Sequence, residues 1–190
     1  MAKESMQHNR GDITNSLVHL TKGIDGSSSL DVLCQILNAE TIIGSGKGGF
    51  IKGPNSATCF TETPLSALKH FASEEDKPKN ARYRYYGVAV SKEAAFTHGA
   101  RPVIYLPENE ASWIPEEEKW RHVRYEYGSV DWTHEREWRV QGDFDLTAVP
   151  GIYVICWHAN EVRTIKKALG ENMAKKVRGF LPMSHLNQML

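Results

Sequence analysis

Two glutamates and an arginine alternate along the sequence EREWRV, at Glu135, Glu137 and Arg139. Successive side chains of a β-strand point to opposite faces, so these three residues would share one face, opposite Arg136, Trp138 and Val140. Trp138 and Val140 have the apolar character of a core-facing side. Two carboxylates and a guanidinium on the other face could brace the strand against its neighbours. They could instead act on a ligand, where a carboxylate binds a ribose hydroxyl or stabilises positive charge developing at an anomeric carbon.

The stretch DWTHEREWRV at residues 131–140 surrounds this motif with three acids, two arginines, a histidine and two tryptophans. A surface turn does not need the tryptophans, and a core strand does not tolerate the charges. The composition therefore predicts a strand that packs one face on the core and lines a cleft with the other. Trp132 and Trp138 would anchor this strand, and the acids would face the ligand.

Other motifs in the chain carry weaker signals. GSGKGG at residues 44–49 has the spacing G-x-G-x-x-G, but FIKGPNS follows it and does not predict the helix that a dinucleotide fingerprint requires. It is interpreted as a flexible loop, or as a loop whose N–H groups and Lys47 meet a ligand phosphate. Cys59 is interpreted as a small buried thiol on a strand. HERE at residues 134–137 departs from the zinc-binding H-E-x-x-H pattern, and no metal site is predicted.

The composition favours a cytoplasmic protein with no membrane partner. Lys and Arg total 23 and Asp and Glu total 23, so global charge does not favour non-specific binding to nucleic acid or anionic membranes. The three cysteines are widely separated, which suits a reducing compartment. No stretch approaches the run of about 18 apolar residues that indicates a membrane span.

Short apolar runs and helical stripes alternate along the chain and predict a mixed α+β fold. Strands are expected at residues 16–21, 57–60, 85–91, 101–106, 151–157 and from 135 onward. Helices are expected at residues 30–40, with Ser29 as the cap, and at 63–75, 92–99 and 160–177, the last interrupted or ended at Gly170. We expect a flexible lead-in at residues 1–14 and one α+β domain at 15–190, with short, largely antiparallel strands and peripheral helices.

Six pieces of the chain resemble, in order, the AbiGi-type abortive-infection family of bacteria and its relatives of unknown function. The pieces are LVHLTKG, ATCFTETPLSAL, YYGVAVSK, RPVIYL, DWTHEREWRV and EVRTIKKALGENM. Together they span nearly the whole chain. The resemblance implies a role in defence against phage, with a possible neutralising or sensing partner protein.

The chain is more distantly similar to ADP-ribosyltransferases, especially small bacterial toxins. That resemblance implies an ADP-ribosyltransferase-like fold with NAD as substrate. His19, with Thr21 beside it, would hold a ribose of NAD from an early strand, and Thr61 would shape the nicotinamide pocket. Glu137 would be the catalytic carboxylate and Glu135 would orient the acceptor, which could be a nucleic acid or a protein.

The same resemblance implies further contacts to NAD. Tyr85, Tyr86 or Tyr105 could stack on a ring, and Arg101 or Arg139 could pair with the pyrophosphate. No metal is expected in this reaction.

Each of these roles has a structural alternative, and the protein has alternative functions. His19 and Tyr105 could be core residues, Thr61 could cap the helix that begins at Pro64, and Arg139 could brace Glu137. The chain could also be a non-catalytic module that senses a nucleotide or a phage component, or a metal-dependent nuclease. Hydrolysis of NAD would need the same pocket as transfer.

Overall fold

A mixed β-sheet organises the part of the chain described here. The structure is a computed structural model, described for residues 14–47, 50–70, 72–73 and 83–185. The predicted lead-in lies outside these ranges except for Thr14. The strands are β1 (Ser16–Leu20), β2 (Thr41–Ile42), β3 (Ala57–Thr61), β4 (Ala72–Ser73), β5 (Tyr83–Arg84), β6 (Gly87–Ser91), β7 (Arg101–Pro102), β8 (Ile104–Leu106), β9 (His122–Arg124), β10 (Glu137–Gln141), β11 (Phe144–Asp145), β12 (Ile152–Cys156) and β13 (Val177–Pro182).

Seven of these strands form the central sheet, in the order β13-β12-β6-β1-β3-β10-β7. Adjacent strands of this sheet pair antiparallel, except that β12 and β13 pair parallel. The helices are α1 (Ser29–Ala39), α2 (Lys92–Thr97), α3 (Val162–Ala168) and α4 (Glu171–Lys176). The prediction of an α+β fold with short, largely antiparallel strands is confirmed.

The central sheet consists of two well-paired parts that meet at one residue pair. Five residue pairs join β1 to β6, and five join β10 to β3. Among the described residues, the register between β1 and β3 is the single pair Val18 and Thr61. Next to this pair, His19 and Leu20 of β1 and Cys59 and Phe60 of β3 line a small gap between the two strands.

Gly87 allows β6 to approach β1 closely beside this opening. Replacing Gly87 by alanine would place a Cβ atom 2.0 Å from the carbonyl oxygen of His19, which is backbone and cannot rotate away. We expect Gly87→Ala to lower the free energy of unfolding by about 1–3 kcal/mol, as overpacking does, measured by urea denaturation. Gly46→Ala is the control, since its Cβ would meet no described atom within 4 Å. Equal losses in the two variants would contradict the expectation.

Helix α1 forms because its apolar residues recur at helical spacing and its N-terminus is capped. Leu33 and Leu37 are fully buried on the face toward the sheet. Ser28 and Asp31 form a reciprocal capping box, so the cap lies one residue before the predicted Ser29. In the ranges that the structure covers, no helix is long and apolar enough to cross a bilayer.

Two of the predicted elements differ in the structure. The run at residues 101–106 is broken at Val103, because β7 pairs with β10 whereas β8 pairs with β9. The helix predicted at residues 63–75 is a short 3₁₀ helix, Leu65–His70, followed by β4. Residues 71, 74 and 75 of that prediction lie outside the described residues. The interruption near Gly170 is confirmed, since α3 ends at Ala168 and α4 begins at Glu171.

The core lies on both faces of the central sheet. Alternation along β1 sends Leu17 to one hydrophobic cluster, and Val18 and Leu20 to another. The first cluster includes Leu33 of α1 and Ile165 of α3. Because a hydrophobic cluster covers each face of the sheet, the strands β1 and β3 are held in place by packing on both sides.

Candidate functional site

Strand β10 begins at Glu137, so the prediction of a strand from residue 135 is wrong. Glu135 ends a 3₁₀ turn, Thr133–Glu135, and Arg136 follows in the left-handed region with φ of 44°. Only a few per cent of non-glycine residues adopt a positive φ, and nothing in the sequence indicates it. The side chains of Glu135 and Glu137 therefore do not alternate along one strand, although both reach the same cavities.

Thr61 and Thr63 hold this turn against β3. The hydroxyl of Thr61 donates to the carbonyl of Glu135, and the hydroxyl of Thr63 donates to the carbonyl of His134 over 3.2 Å. The backbone N–H of Glu62 donates to the carbonyl of Arg136 over 3.0 Å. Thr61 thus positions the start of β10, and its Oγ1 also accepts the backbone N–H of Thr63 over 3.0 Å.

Glu137 and Arg139 form a buried ion pair. The guanidinium Nε donates to Glu137 Oε1 over 2.9 Å and Nη2 donates to Oε2 over 3.2 Å. The two side chains are 11% and 4% exposed. Arg139 also donates to the carbonyl of Trp120 over 2.6 Å. Burial lowers the pKa of Arg139, but Glu137 and Cys59 together outweigh burial, so the pKa lies above its ordinary value. Arg139 therefore braces Glu137, as the alternative in the sequence analysis expected.

Tyr105 fixes the backbone at the same point. Its hydroxyl oxygen accepts the backbone N–H of Glu137 over 3.1 Å and its O–H donates to the carbonyl of Trp132 over 3.3 Å. Burial raises the pKa of Tyr105 to about 12, so the hydroxyl keeps its proton and can make both bonds at neutral pH. The structure gives Tyr105 a bracing contact and does not place it among the residues of the cavities described below.

His19 lies at the gap between β1 and β3, with its ring edge-on to Phe60. Its Nδ1 is 2.8 Å from the carbonyl oxygen of Cys59. Because a carbonyl can only accept, Nδ1 carries the proton and Nε2 keeps a lone pair. Burial lowers the pKa of His19 and outweighs the opposing effect of the Cys59 carbonyl, so the imidazole is neutral at pH 7. His19 can accept a hydrogen bond from a ligand hydroxyl.

Within the described ranges of the chain, three cavities border Glu137. The α1 cavity has a volume of about 400 Å³, lies against helix α1 and is lined by residues that include His19, Thr21, Ile36, Tyr83 and Glu137. The narrow cavity has a volume of about 50 Å³ and is lined by residues that include His19, Thr61, Glu135 and Glu137. The Trp132 cavity has a volume of about 720 Å³ and is lined by residues that include Lys52, Arg124, Trp132, Glu135 and Glu137. Glu137 is the residue that these three have in common, with His19 in two of them.

The walls of the α1 cavity include residues that the sequence did not assign to a site. Tyr83 lines both the α1 and the narrow cavities, although Tyr85, Tyr86 and Tyr105 were the predicted tyrosines. Cys59 lines the same two, and burial followed by the charge of Glu137 raises the pKa of its thiol well above the usual range. The Cys59 thiol is therefore a wall of the cavity and a poor nucleophile.

Thr21 lies in the wall of the α1 cavity, where its hydroxyl holds the backbone. Its Oγ1 lies 3.0 Å from the carbonyl oxygen of Ser29 and 3.1 Å from that of Tyr86, and the two carbonyls share its single proton. The residue is buried, and it ties the end of β1 to the start of α1 and to β6. These contacts fix the backbone two residues after His19.

Three predicted ligand contacts lie apart from the cavities around Glu137. Tyr85 is buried in the second hydrophobic cluster, where it stacks on Trp157 at 4.9 Å between ring centroids. Tyr86 is buried and donates to Glu161 over 2.7 Å. The guanidinium of Arg101 lies 4.0 Å from the Phe96 ring centroid and donates to backbone carbonyls of residues 96 and 100. These side chains are held in the packing of the fold.

The two tryptophans of residues 131–140 have different roles. Trp138 packs against the first hydrophobic cluster, and its indole N–H donates to Glu62 over 2.7 Å. Trp132 is 41% exposed and lines the Trp132 cavity. The prediction that both anchor the strand is confirmed for Trp138 and stays a prediction for Trp132.

The glycine-rich loop lies beside the Trp132 cavity. The backbone of Ser45 exchanges two hydrogen bonds with Ala57, and Asp143 accepts the N–H of Gly44 over 2.7 Å. Lys47 lines the Trp132 cavity, while residues 48–49 lie outside the described residues. In the described part of the chain, no group of three His, Cys, Asp or Glu side chains is placed to hold a metal ion.

Comparisons with protein-family models, with curated proteins and with solved structures found no match to this chain. The fold and the site define an α+β protein with a cleft between β1 and β3, where a neutral histidine and a buried carboxylate border the same cavities.

Proposed function

We propose that this chain is a cytosolic enzyme that cleaves the nicotinamide–ribose bond of NAD and transfers ADP-ribose to a macromolecule. The observation that carries the proposal is that Glu137 lines all three cavities and shares two of them with His19. A ribose between the two residues would have a hydroxyl acceptor on one side and a negative charge on the other.

The α1 cavity has the size and chemistry for part of a nucleotide. Its volume of about 400 Å³ falls within the usual range of small-molecule sites. Its walls combine apolar side chains such as Ile36 with the Tyr83 ring, which can lie against a planar heterocycle. Nε2 of His19 can accept a ribose hydroxyl, since Nδ1 donates to Cys59.

The reaction needs a fixed negative charge close to C1′ of the nicotinamide ribose. The bond from C1′ to the nicotinamide nitrogen breaks and its electron pair stays on nitrogen, so nicotinamide leaves neutral. Positive charge then develops on C1′ and the ring oxygen, as in glycoside cleavage, and the Glu137 carboxylate stabilises it. The nucleophilic atom of the acceptor bonds to C1′ and releases its proton. With water as the acceptor, the product is ADP-ribose.

Glu137 retains the capacity to bind a ligand despite its ion pair. Each carboxylate oxygen has two lone pairs, and the guanidinium of Arg139 occupies one on each. The ion pair and the Tyr105 contact fix the carboxylate, which saves the entropy of ordering it in the transition state. Resemblance to the AbiGi-type family supports a setting for this chemistry in defence against phage.

The experiment that tests the proposal measures nicotinamide release from NAD by the purified protein. We expect release that persists in EDTA, with NAD affinity weakened by His19→Asn, which keeps a donor for Cys59 but removes Nε2. Because the pKa of His19 is lowered, affinity should stay constant from about pH 8 down to about 6.5 and fall only in more acidic solution, where Nε2 gains a proton.

Other results would identify a different function. NAD binding without release of nicotinamide would contradict the enzyme and indicate a sensing module. Degradation of nucleic acid that stops in EDTA would indicate a metal-dependent nuclease. Absence of both binding and release would rule out NAD as the ligand of this cleft.

A further inference from the structure

Resting on the proposed function, we infer that the mouth of the α1 cavity binds the adenosine diphosphate part of NAD, with Lys22 in contact with its phosphates. The mouth consists of exposed lining residues that include Lys22, Ile24, Ile43 and Ser45. Among the described residues that line this cavity, Lys22 is the one lysine or arginine.

The two arginines that sequence analysis proposed for the pyrophosphate are held by other contacts. The guanidinium of Arg101 lies over the Phe96 ring. Arg139 is paired with Glu137 through two hydrogen bonds. The phosphates of a dinucleotide in the α1 cavity therefore meet Lys22, which the sequence did not single out.

The charges around the α1 cavity favour an anionic ligand. Glu137 is the one carboxylate among its described lining residues, and the ion pair with Arg139 balances its charge. His19 is neutral at pH 7, because burial lowers its pKa. Lys22 is exposed and makes no ion pair with another described residue. An ammonium group without a counter-charge attracts a phosphate and can donate hydrogen bonds to its oxygens.

The backbone of Lys22 is held between two anchored points. One residue before it, the N–H of Thr21 donates to the carbonyl of Tyr86 over 2.7 Å. Two residues after it, Ile24 and Ser27 exchange two backbone hydrogen bonds of 3.1 and 2.9 Å across a turn. A ligand that binds here orders the side chain of Lys22 but not its backbone, which lowers the entropy cost of binding.

Two exposed isoleucines supply an apolar surface at the mouth. Ile24 is 51% exposed and precedes α1, whereas Ile43 is 69% exposed and follows β2. Aliphatic side chains gain free energy when a flat ring such as adenine covers them. Ser45 also lines the cavity, and its backbone exchanges hydrogen bonds of 2.8 and 2.9 Å with Ala57. Its hydroxyl can donate to a phosphate or a ribose oxygen.

The two ends of the α1 cavity suit different parts of one dinucleotide. The side chain of Glu137 is 11% exposed and marks the enclosed end, where the proposed reaction places the nicotinamide ribose. Lys22 and the two isoleucines mark the exposed end. A substrate that spans the cavity has its phosphates and adenine at the mouth. The mouth therefore recognises an adenosine diphosphate group, and free ADP should compete with NAD.

Binding of ADP, adenosine and inorganic pyrophosphate to the full chain, measured by calorimetry, tests the inference. ADP should bind more tightly than either fragment, because it alone reaches both Lys22 and the isoleucines. Lys22→Met should weaken ADP binding about 10-fold, the scale of the weakest hydrogen bonds to charged groups, and leave the adenosine affinity unchanged. Ile43→Ala should weaken ADP and adenosine binding alike by about 4- to 15-fold, the scale of one to two methylene groups taken out of water.

Lys167→Met is the matched control for Lys22→Met. Lys167 is exposed on α3 and lines none of the three cavities around Glu137. It should leave the affinities for ADP and adenosine unchanged. A second assay uses ADP as an inhibitor, and ADP should raise the apparent KM for NAD in nicotinamide release without changing kcat.

The outcomes separate this inference from the proposed function. ADP binding that depends on Lys22, without release of nicotinamide from NAD, supports the ADP site, and in that case the proposed function alone fails. Nicotinamide release that ADP does not inhibit overturns the ADP site alone. Equal ADP affinities of Lys22→Met and Lys167→Met also overturn it, as does a loss of adenosine binding in Lys22→Met as large as the loss of ADP binding.

Discussion

Replacing Glu137 by glutamine is expected to reduce nicotinamide release from NAD at least about 100-fold, the scale of losing one preorganised electrostatic contact to a transition state. Glutamine has nearly the shape of glutamate but carries no charge to stabilise C1′. It still offers one oxygen to Arg139, so the protein should fold. The lost charge-assisted bond should lower the free energy of unfolding by about 1.5–3 kcal/mol, which is less than the total stability of a typical domain.

The measurement is a comparison of nicotinamide release and of urea unfolding for the same preparations. Glu117→Gln is the control, since Glu117 is exposed and lines none of the three cavities around Glu137. It should match the original chain in both assays. Full activity of Glu137→Gln would show that this carboxylate is not catalytic. Loss of activity in proportion to loss of folded protein would show that it is a brace alone.

The sequence predicts the site best where the relevant spacing is local. Alternation along a strand indicated that Glu137 and Arg139 share a face, and the structure pairs them across two residues. The same alternation predicted that Trp138 and Val140 pack against the core, as they do in the structure. The same rule failed at Glu135, because Arg136 has a left-handed backbone that turns the chain between the two glutamates.

Contacts between distant segments of the chain could not be predicted from local patterns. His19 and Glu137 border the same cavity because β1 meets β3 at Val18 and Thr61, while Thr61 also pairs with Glu137. These pairings join residues far apart in the chain, and hydrophobic alternation is compatible with many registers. The structure places Tyr85 in the core, and not at these cavities, for a related reason. A run of aromatic residues does not show which ring enters the core and which, like Tyr83, lines a cavity.

Replacing Arg139 by methionine is expected to cost about 3–5 kcal/mol of the free energy of unfolding, because it leaves the buried carboxylate of Glu137 without its counter-charge. The loss should exceed that of Glu137→Gln, since glutamine still accepts a bond from the guanidinium. Nicotinamide release should fall as well, because the carboxylate is no longer held in one orientation. Urea denaturation at neutral pH gives the free energy of unfolding. Nicotinamide release, measured at urea concentrations well below the unfolding transition, gives the activity.

A double variant, compared with Arg139→Met, separates the two consequences of the ion pair. The variant with methionine at both positions 137 and 139 removes both charges, so it should recover most of the stability that Arg139→Met loses while remaining inactive. Lys119→Met is the control, because its pair with Glu116 is exposed and contributes no more than about 1 kcal/mol. If the double variant were as unstable as Arg139→Met, the cost would come from the bonds of Arg139 to the backbone of Trp120 and His122. Recovered stability without activity would mean that the chain keeps a costly buried charge pair for its chemistry, because its fold does not need one.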